Sequence, residues 1–391
     1  MNSLQDFLEA KPLFYDEINL ERMPKVYATI KDKLTVAKVI HVVGTNGKGT
    51  TGRFLANALL QNNLNVGHYT SPHILTFNER IWLNGENVDD STLQKAHQRL
   101  LVLLTKEQSD ALSYFEYTTL LAMLVYEKCD YVVLEAGLGG EFDATNVFKK
   151  ALSLFTPIAI DHQAFLGDDI KSIAQTKFRS METHAILGRQ PNREVRRYFD
   201  EVANDKGCVT ASIDTVLTTK EQQDISMIAQ DAGLAKYLQE NLLLSLSALK
   251  FLGFTANVEE LAKTPLFGRL TQLRDNIVLD VGHNLLAAQA IAKTLSGKKY
   301  TLIYNSYRDK DYANIIKTLK PIIEAVELIS VEDVRAEQES TLESVIEAEK
   351  IAVSKFATIE QDKSYLVFGS FSVAEAFLKQ LNPIHSEGSS N

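Results

Sequence analysis

The sequence of 391 residues predicts an α/β protein with two domains, each built around a parallel β-sheet. Three observations lead to this fold class. Short β-branched runs alternate with stretches of helical periodicity, which is the pattern of βαβ units. The runs are continuously apolar, as in sheets that are covered on both faces. A second series of runs follows a break containing proline and glycine, and a chain of this length exceeds one ordinary core.

The first series of predicted strands lies in the N-terminal half. Each run ends in a small or polar residue and is followed by a helical pattern. The runs are "KVIHVVG" (38–44), "NVGHYTS" (65–71), "DYVVLEAG" (130–137), "ALSLFTPIAID" (151–161) and the shorter "HAILG" (184–188). Residues 189–230 are polar and poorly periodic, which predicts short irregular elements. The leucine-rich run "NLLLSLSALKFLGF" (241–254) suits a buried helix.

The second series starts near residue 276. Its runs are "NIVLDVG", "YTLIYNS", "AVELISV" and "SYLVFGS", again with helical stretches between them. The segment "AKTPLFGRL" (262–270) carries Pro265 and Gly268 and is interpreted as the linker. We therefore predict a first domain at 1–265, a second at 266–385 and a disordered tail at 386–391.

Composition restricts the class of partner. Apolar residues make up 45% and charged residues 23%, which is normal for a globular protein, and the net charge is -9. An acidic balance argues against nucleic acid as the partner, although one loop can still hold a small anion. The N-terminus lacks a signal-peptide pattern, and no run reaches the roughly 18 apolar residues of a membrane span. Cys129 and Cys208 lack metal-ligand spacing, so we expect reduced thiols in a cytoplasmic protein.

A loop rich in glycine and lysine follows the first predicted strand, in "HVVGTNGKGTTG" (41–52). It departs from the common phosphate-loop pattern twice, because Val42 replaces a glycine and Gly49 separates Lys48 from Thr50. Its glycines still let the backbone approach an anion, and the following helix presents its positive end. An ordinary strand-to-helix turn is the alternative. We predict a site for nucleotide phosphates.

Polar side chains at other strand ends predict a metal site on the same edge of the sheet. Gly49 occupies the position after the lysine where a metal-binding hydroxyl usually stands, so ligands are expected elsewhere. The carboxyl ends of parallel strands share one edge, and Mg²⁺ prefers oxygen ligands. A capping glutamate and a structural histidine are the alternatives for single residues. The candidates are Thr70, Ser71, Glu135, Asp161 and His162. In the second domain Arg269, Asp280 and His283 are weaker candidates of the same kind.

At this point the motifs resemble a known family. "GTNGKGT", "TSPHI" with "NERI", "YFEYTTL", "EAGLGGEFDATN", "FGRL", "LDVGHN", "DKD" and "VFGSFSV" occur in that order. As a set they resemble the folylpolyglutamate synthase and dihydrofolate synthase branch of the Mur ligase family, from about Asp16 to Val373. The resemblance implies an N-terminal P-loop-type ATPase domain and a smaller, Rossmann-like C-terminal glutamate-ligase domain.

The resemblance also implies an activity and a nucleotide site. A pterin carboxylate would attack the γ-phosphate of ATP, and L-glutamate would displace phosphate from the acyl phosphate. Catalysis would then require closure of the two domains. The matching ATP contacts are Gly44, Thr45, Asn46, Gly47, Lys48, Gly49, Thr50, Asn241, Arg269, Asp280 and His283.

Metal and pterin contacts follow from the same resemblance. The implied ligands of one or two Mg²⁺ ions are Thr70, Glu135, His162 and Lys177, the last in carbamylated form, and a monovalent cation is also allowed. Lys48, His162 and Lys177 are the implied catalytic residues. Aromatic side chains would stack on the pterin, and the matching positions are Asp16, Glu17, Leu112, Ser113, Tyr114, Phe115 and Phe142.

The sequence departs from the family pattern in four places. Thr176 precedes Lys177 where the family has glutamate, and "FRS" follows at once, as if three residues were deleted. Glu141 replaces an arginine and Leu285 replaces a proline. The chain is also short between residues 189 and 230. Carbamylation of Lys177 and the substrate preference are therefore open.

Two other function classes are weighed against this one. A different Mur-type ligase would need an additional N-terminal domain, for which the position of Gly44 leaves no room. A nucleotide-dependent switch or binding protein without ligase activity is the other class, and a GTPase of that class would need an N-K-x-D motif, which the sequence lacks. We expect a monomer with small-molecule partners. Whether it adds the first glutamate, later ones or both is open.

Overall fold

The computed structural model describes residues 3–11 and 19–381 of the chain. The chain divides into two compact units, Met1–Pro265 and Leu266–Asn391, and each is described by itself. Asp16, Glu17 and the predicted disordered tail lie outside the described residues. Within the described ranges, no helix is both long enough and apolar enough to cross a membrane.

The first unit is organised around an eight-stranded sheet in the order β4-β3-β2-β5-β1-β6-β7-β8. All its pairings are parallel except those of β3 with its two neighbours. The strands are β1 (Lys38–Val43), β2 (Val66–Tyr69), β3 (Ile81–Leu83), β4 (Glu86–Asn87), β5 (Tyr131–Glu135), β6 (Lys150–Phe155), β7 (His184–Leu187) and β8 (Val209–Ser212). The parallel α/β class predicted from the apolar runs is confirmed, and the antiparallel edge strands β3 and β4 were not foreseen.

The helices described in the first unit precede, separate and follow its strands along the chain. They are α1 (Leu4–Glu9), α2 (Arg22–Ile30), α3 (Lys48–Leu60), α4 (Asp90–Leu103), α5 (Lys106–Ala111), α6 (Tyr114–Val125), α7 (Gln163–Leu166), α8 (Ile170–Phe178), α9 (Glu194–Lys206), α10 (Ile213–Val216), α11 (Thr219–Asp231), α12 (Lys236–Phe251) and α13 (Val258–Ala262). The leucine-rich helix α12 is buried as predicted and packs on α3, where Ser245 Oγ donates to the Thr51 carbonyl at 2.8 Å.

The prediction of irregular elements for residues 189–230 is wrong. This segment forms the regular helices α9 and α11 with strand β8 between them. In α9 the side chains of Val195, Tyr198, Phe199 and Val202 are buried at helical spacing. Arginines and aspartates between these positions lower the mean hydropathy of the segment and conceal that spacing. Helix α11 is started by a capping box in which Thr218 and Glu221 satisfy each other's backbone amides.

The second unit contains a six-stranded sheet in the order β13-β12-β11-β14-β10-β9, in which only β9 is antiparallel. Its strands are β9 (Thr271–Arg274), β10 (Ile277–Leu279), β11 (Tyr300–Tyr304), β12 (Ile323–Leu328), β13 (Ala352–Lys355) and β14 (Tyr365–Phe368). Its helices are α14 (Leu285–Thr294), α15 (Tyr312–Leu319), α16 (Glu339–Ala348) and α17 (Phe371–Leu381). Short 3₁₀ turns occur in the two units at Lys31–Lys33, Phe77–Arg80, Ala144–Val147 and Lys320–Ile322.

Three fully buried phenylalanines hold β6, α8 and α9 together. The ring centroids of Phe155 and Phe178 are 5.0 Å apart, and those of Phe178 and Phe199 are 5.1 Å apart. Both pairs are edge-to-face, the arrangement that aromatic quadrupoles favour. Because α8 also carries Lys177, this cluster fixes the helix that supplies a predicted site residue.

Replacing Phe178 by alanine is expected to lower the free energy of unfolding of the first unit by about 3–5 kcal/mol, because it opens a cavity among rings that cannot collapse. Urea denaturation followed by circular dichroism measures the change. Met227→Ala is the control, since Met227 is 56% exposed and its loss leaves no cavity. Equal effects of the two substitutions would contradict the packing described here.

Candidate functional site

The glycine-lysine loop joins β1 to α3 and depends on two glycines. Gly47 has φ +85°, the left-handed region that favours glycine, and a Cβ there would lie 2.5 Å from Asn241 Oδ1. A Cβ on Gly44 would lie 1.9 Å from Thr156 Oγ1. Helix α3 begins at Lys48. The loop is therefore packed tightly against α12 and the segment after β6.

The backbone amides of this loop divide into two groups. Those of Thr45 and Asn46 donate to the Pro157 carbonyl, with N···O distances of 2.9 and 3.3 Å. The first bond within α3 runs from Thr51 N to Gly47 O at 2.9 Å, so residues 48–50 form the N-terminal turn. The amides of such a turn are the usual donors for a bound anion. The amides of Thr45 and Asn46 are therefore already used within the protein.

Lys48, Thr70 and Glu135 come together at the carboxyl edge of the sheet. Lys48 Nζ is 4.0 Å from Glu135 Oε1. The Thr70 hydroxyl donates to Glu135 Oε2, and Ser71 N donates to the same oxygen at 3.2 Å. Glu135 is buried although it is charged. Its burial is compensated by these donors and by the ammonium group, so this edge is a polar cluster in an otherwise apolar sheet.

Asp161 and His162 do not end a strand, contrary to the prediction. Strand β6 ends at Phe155, because Pro157 has no amide to continue the ladder. His162 follows in left-handed conformation at φ 54°, with its amide donating to Asp161 Oδ1 at 2.9 Å. Its Nε2 is 4.0 Å from Asp161 Oδ2, and the imidazole is partly exposed.

Lys177, on helix α8, is buried inside the protein. Its Nζ donates to the Gly44 carbonyl at 2.9 Å. Burial, together with the nearby charge of Lys48, lowers the pKa of Lys177 to about 7, while Asp161 and Asp143 act in the opposite direction. A Cβ on Gly140 would lie 2.7 Å from the Lys177 carbonyl, so the "LGG" segment passes directly over α8. The amine therefore links α8 to the phosphate loop.

Hydroxyl and carboxylate oxygens at this edge are suitable ligands for a hard cation. Thr70 and Glu135 are in contact, and the Thr50 hydroxyl in the first turn of α3 is buried without a hydrogen-bond partner in the described part of the chain. Mg²⁺ is typically held by one or two carboxylates together with phosphate oxygens and water. Across residues 3–11 and 19–381, no three or more His, Cys, Asp or Glu side chains are grouped to hold a metal ion. The structure thus brings Thr70 and Glu135 together, and it does not group His162 with them as a cluster of that kind.

The predicted pterin positions at 112–115 form the start of α6. Leu112 is buried, and Ser113 caps the helix in a capping box with Glu116. The ring of Phe115 lies 5.8 Å from that of Tyr69, and a Cβ on Gly137 would lie 2.7 Å from Phe115 Cζ. These contacts place the strip Leu112–Phe115 next to the ends of β2 and β5. Phe142, by contrast, is 52% exposed.

The remaining predicted nucleotide contacts lie on both units. Asn241 is buried on α12 against Gly47. In the second unit Asp280 directly follows β10 and accepts hydrogen bonds from Leu270 N at 2.9 Å and Gly282 N at 2.8 Å. Arg269 stacks its guanidinium on the Phe371 ring, 5.2 Å from the centroid, and His283 Nδ1 is 3.3 Å from the Val281 carbonyl. Asp280 thus orders the turn that carries Arg269 and His283.

Two buried residues at this edge were not identified from sequence. Arg80 immediately precedes β3, and its Nε donates to His73 Nδ1 at 2.7 Å. Asp143 orders the "FDATN" turn by accepting from the amides of Leu138 and Thr145. Both stand within quoted motifs, yet an arginine or aspartate in a polar segment carries no periodic signal that it is buried.

Of three comparisons with known proteins, two give matches and one gives none. No protein-family model matches the sequence. The dihydrofolate synthase/folylpolyglutamate synthase of Haemophilus influenzae is 30% identical over 347 residues, which cover 79% of this chain and 78% of that protein. The crystal structure of Helicobacter pylori folylpolyglutamate synthetase is 39% identical, covers 97% of this chain and 98% of that chain, and gives a TM-score of 0.77. A bifunctional folylpolyglutamate synthase/dihydrofolate synthase with Mn, AMPPNP and L-glutamate bound is 25% identical over 97% of both chains, with a TM-score of 0.78.

The buried amine of Lys177 is expected to make stability depend on pH. Its pKa in the folded chain is about 7, below the usual lysine value of 10.5, so the unfolded chain binds one more proton between these pH values. The free energy of unfolding should therefore rise with pH across this window, by up to about 1.4 kcal/mol per pH unit for a single proton. The difference between wild type and Lys177→Met in denaturant titrations at several pH values isolates this slope. Identical slopes in the two proteins would contradict the burial of a neutral amine.

Proposed function

The chain belongs to the dihydrofolate synthase/folylpolyglutamate synthase family, and we propose that it is an ATP-dependent ligase that forms an amide bond between L-glutamate and the carboxylate of a pteroate or folate. The resemblance inferred from the motifs is thereby confirmed. We locate the reaction at the polar carboxyl edge of the sheet in the first unit. There Lys48 lies 4.0 Å from Glu135, which also accepts a hydrogen bond from Thr70.

The chemistry requires that a carboxylate be activated before an amine can attack it. In the first step a carboxylate oxygen attacks the γ-phosphorus of ATP, the bond to the β-phosphate oxygen breaks and ADP leaves. In the second step the amine of L-glutamate attacks the acyl carbon, inorganic phosphate leaves and the amine loses a proton. Phosphoryl transfer depends mainly on positioning and on neutralisation of negative charge.

The phosphate loop supplies both requirements in our proposal. The amides of residues 48–50 bind phosphate oxygens at the helix N-terminus, and Lys48 neutralises the transferred group. The Lys48 side chain is held in place by a hydrogen bond from Nζ to the Thr45 carbonyl at 3.2 Å and by its ion pair with Glu135. Lys48 is therefore oriented before the nucleotide binds, which reduces the cost of ordering it later.

We propose Mg²⁺ as the metal, with Glu135 and Thr70 as its protein ligands. When bound, the ion neutralises phosphate charge and draws electron density from the γ-phosphorus. His162 and a carbamylated Lys177 remain candidate ligands from the resemblance. A buried lysine with a pKa of about 7 is partly in the neutral form that reacts with CO₂. A monovalent cation, a monomeric state and a cytoplasmic location also stay predictions.

We assign the pterin to the strip Leu112–Phe115, close to the end of β2. The support is the position of Phe115 against Tyr69 and Gly137, which places an aromatic face beside the strand end that carries Thr70. An apolar ring surface next to a polar edge suits a substrate with a flat ring at one end and a carboxylate at the other. This arrangement brings the carboxylate towards Lys48.

The proposed activity predicts that phosphate release from MgATP requires both L-glutamate and a pterin substrate. Lys48→Met should lower kcat/KM by at least about a hundredfold, because it removes the charge on the transferred group. A coupled phosphate assay with dihydropteroate or tetrahydrofolate measures both effects. Lys355→Met is the control, since the Lys355 side chain is 75% exposed on the second unit. Phosphate release that ignores pterin and glutamate would overturn the assignment.

Glu135→Gln should raise the Mg²⁺ concentration for half-maximal activity by about tenfold or more, because an amide is a weaker ligand than a carboxylate. Titration of Mg²⁺ at fixed free ATP gives this value. Glu141→Gln provides the matched control on a neighbouring loop, where Glu141 pairs with Arg179 at 3.4 Å. An unchanged Mg²⁺ dependence in Glu135→Gln would show that the metal has other ligands.

A further inference from the structure

We propose that Lys11 and Arg22 are positioning residues for the pterin substrate, and that they act by holding the strip Leu112–Phe115 from both sides. This inference rests on the proposed function and adds two residues that act through the strip rather than on the substrate itself. Lys11 lies shortly after helix α1, and Arg22 is the first residue of helix α2. Their charged groups contact α5 and α6, the two helices that meet at the strip.

The ammonium group of Lys11 is buried against backbone carbonyls. Lys11 is only 8% exposed, and its Nζ donates to the carbonyls of Ser109 and Leu112, each at 2.7 Å. A longer bond reaches the Asp110 carbonyl at 3.4 Å. These carbonyls lie at the end of α5, where helical carbonyls lack partners and a cation is favoured. Lys11 thus fixes the backbone of the first residue of the strip.

Two aromatic rings complete the surroundings of the Lys11 ammonium group. Its Nζ lies 4.8 Å from the centroid of the Phe7 ring and 5.5 Å from that of the Tyr117 ring. Burial lowers the pKa of Lys11, and the charge of Asp110 opposes this change. An apolar side chain would avoid the cost of burying a charge, so what the lysine adds is its set of bonds to carbonyls. Lys11 therefore specifies the position of these carbonyls more than it adds to stability.

Arg22 supports the strip from the other side, through Glu116. Its Nε donates to Glu116 Oε2 at 2.7 Å, and the two side chains are 18% and 9% exposed. The same carboxylate oxygen accepts the amide of Ser113 at 2.7 Å, and Ser113 Oγ accepts the amide of Glu116 at 3.2 Å. This reciprocal capping box begins α6. Arg22 thus orients the carboxylate that fixes Ser113, while Lys11 fixes Leu112.

The fixed backbone determines where the aromatic face of Phe115 lies. Phe115 follows Leu112 by three residues, so the first turn of α6 sets the position of its ring. The ring also packs against Tyr69 and Gly137, which end the strands beside it. A displacement of about 1 Å in a group that positions a substrate can lower a rate about a hundredfold. Loss of either cation should therefore weaken binding of the pterin and leave the phosphate loop unchanged.

The test compares wild type with Lys11→Met and Arg22→Gln in the phosphate-release assay. Lys11→Met should raise the KM for dihydropteroate and for tetrahydrofolate by about tenfold, because both substrates carry the pterin. Arg22→Gln should raise both values by about threefold, because Glu116 still caps α6 without it. The KM values for ATP and L-glutamate should change less than about twofold. Lys11→Arg keeps the charge and the donors and should recover part of the loss.

Lys150→Met is the matched control for the loss of a buried lysine. Lys150 is 4% exposed at the start of β6, and its Nζ donates to the Asn146 carbonyl and pairs with Glu182, each at 2.9 Å. This substitution should lower the melting temperature without changing any KM.

Melting temperatures and the division between kcat and KM separate a positioning role from a structural one. A purely structural role would lower the melting temperature and kcat of Lys11→Met at constant pterin KM, and that result would overturn the inference. Equal rises in KM for all substrates would overturn it too. If Lys11→Met does not fold, Arg22→Gln decides, and an unchanged pterin KM there contradicts the inference. A wild type that shows no ligation would instead refute the proposed function, so the two failures are distinguishable.

Discussion

The hydrogen bond from the buried Lys177 amine to the Gly44 carbonyl is the interaction on which the site depends. It joins helix α8 to the phosphate loop, and the Pro157 carbonyl accepts hydrogen bonds from the amides of Thr45 and Asn46. The loop is therefore shaped by the protein before any nucleotide arrives. This is the condition under which a few oriented dipoles stabilise transferred charge effectively, because they need no reorganisation during the reaction.

The charged side chains around this loop favour the binding of a polyanion. The charge of Lys48 lowers the pKa of Lys177, while Asp161 and Asp143 oppose that shift. Glu135 offsets Lys48 at 4.0 Å. An anion on the loop would reduce the repulsion between the two amines. The electrostatic energy of this cluster is therefore lower when phosphate is bound than when it is absent, as expected of a buried binding site.

Much of this arrangement can be predicted from sequence, and the exceptions have physical reasons. Thr70 and Glu135 could be placed together because parallel strands end at one edge of their sheet. The strand before His162 was extended too far, since apolar residues continue past Phe155 although Pro157 stops the ladder. Helix α9 was missed because charges interrupt its apolar face. Whether Arg80 is buried depends on contacts with His73 and Tyr114 that only the folded chain brings about.

The single bond between Thr70 N and the Arg80 carbonyl has a consequence for how such a protein can diverge. Ser71 N donates to Glu135 at the start of this loop and Asn78 donates to the Val88 carbonyl near its end, so insertions between residues 72 and 77 need not move either anchor. Evolution can then change the loop, and with it the choice of substrate, without changing the residues at the sheet edge that carry the chemistry. Descendants could acquire new acceptors by altering this loop while the ancestral phosphate machinery stays unchanged.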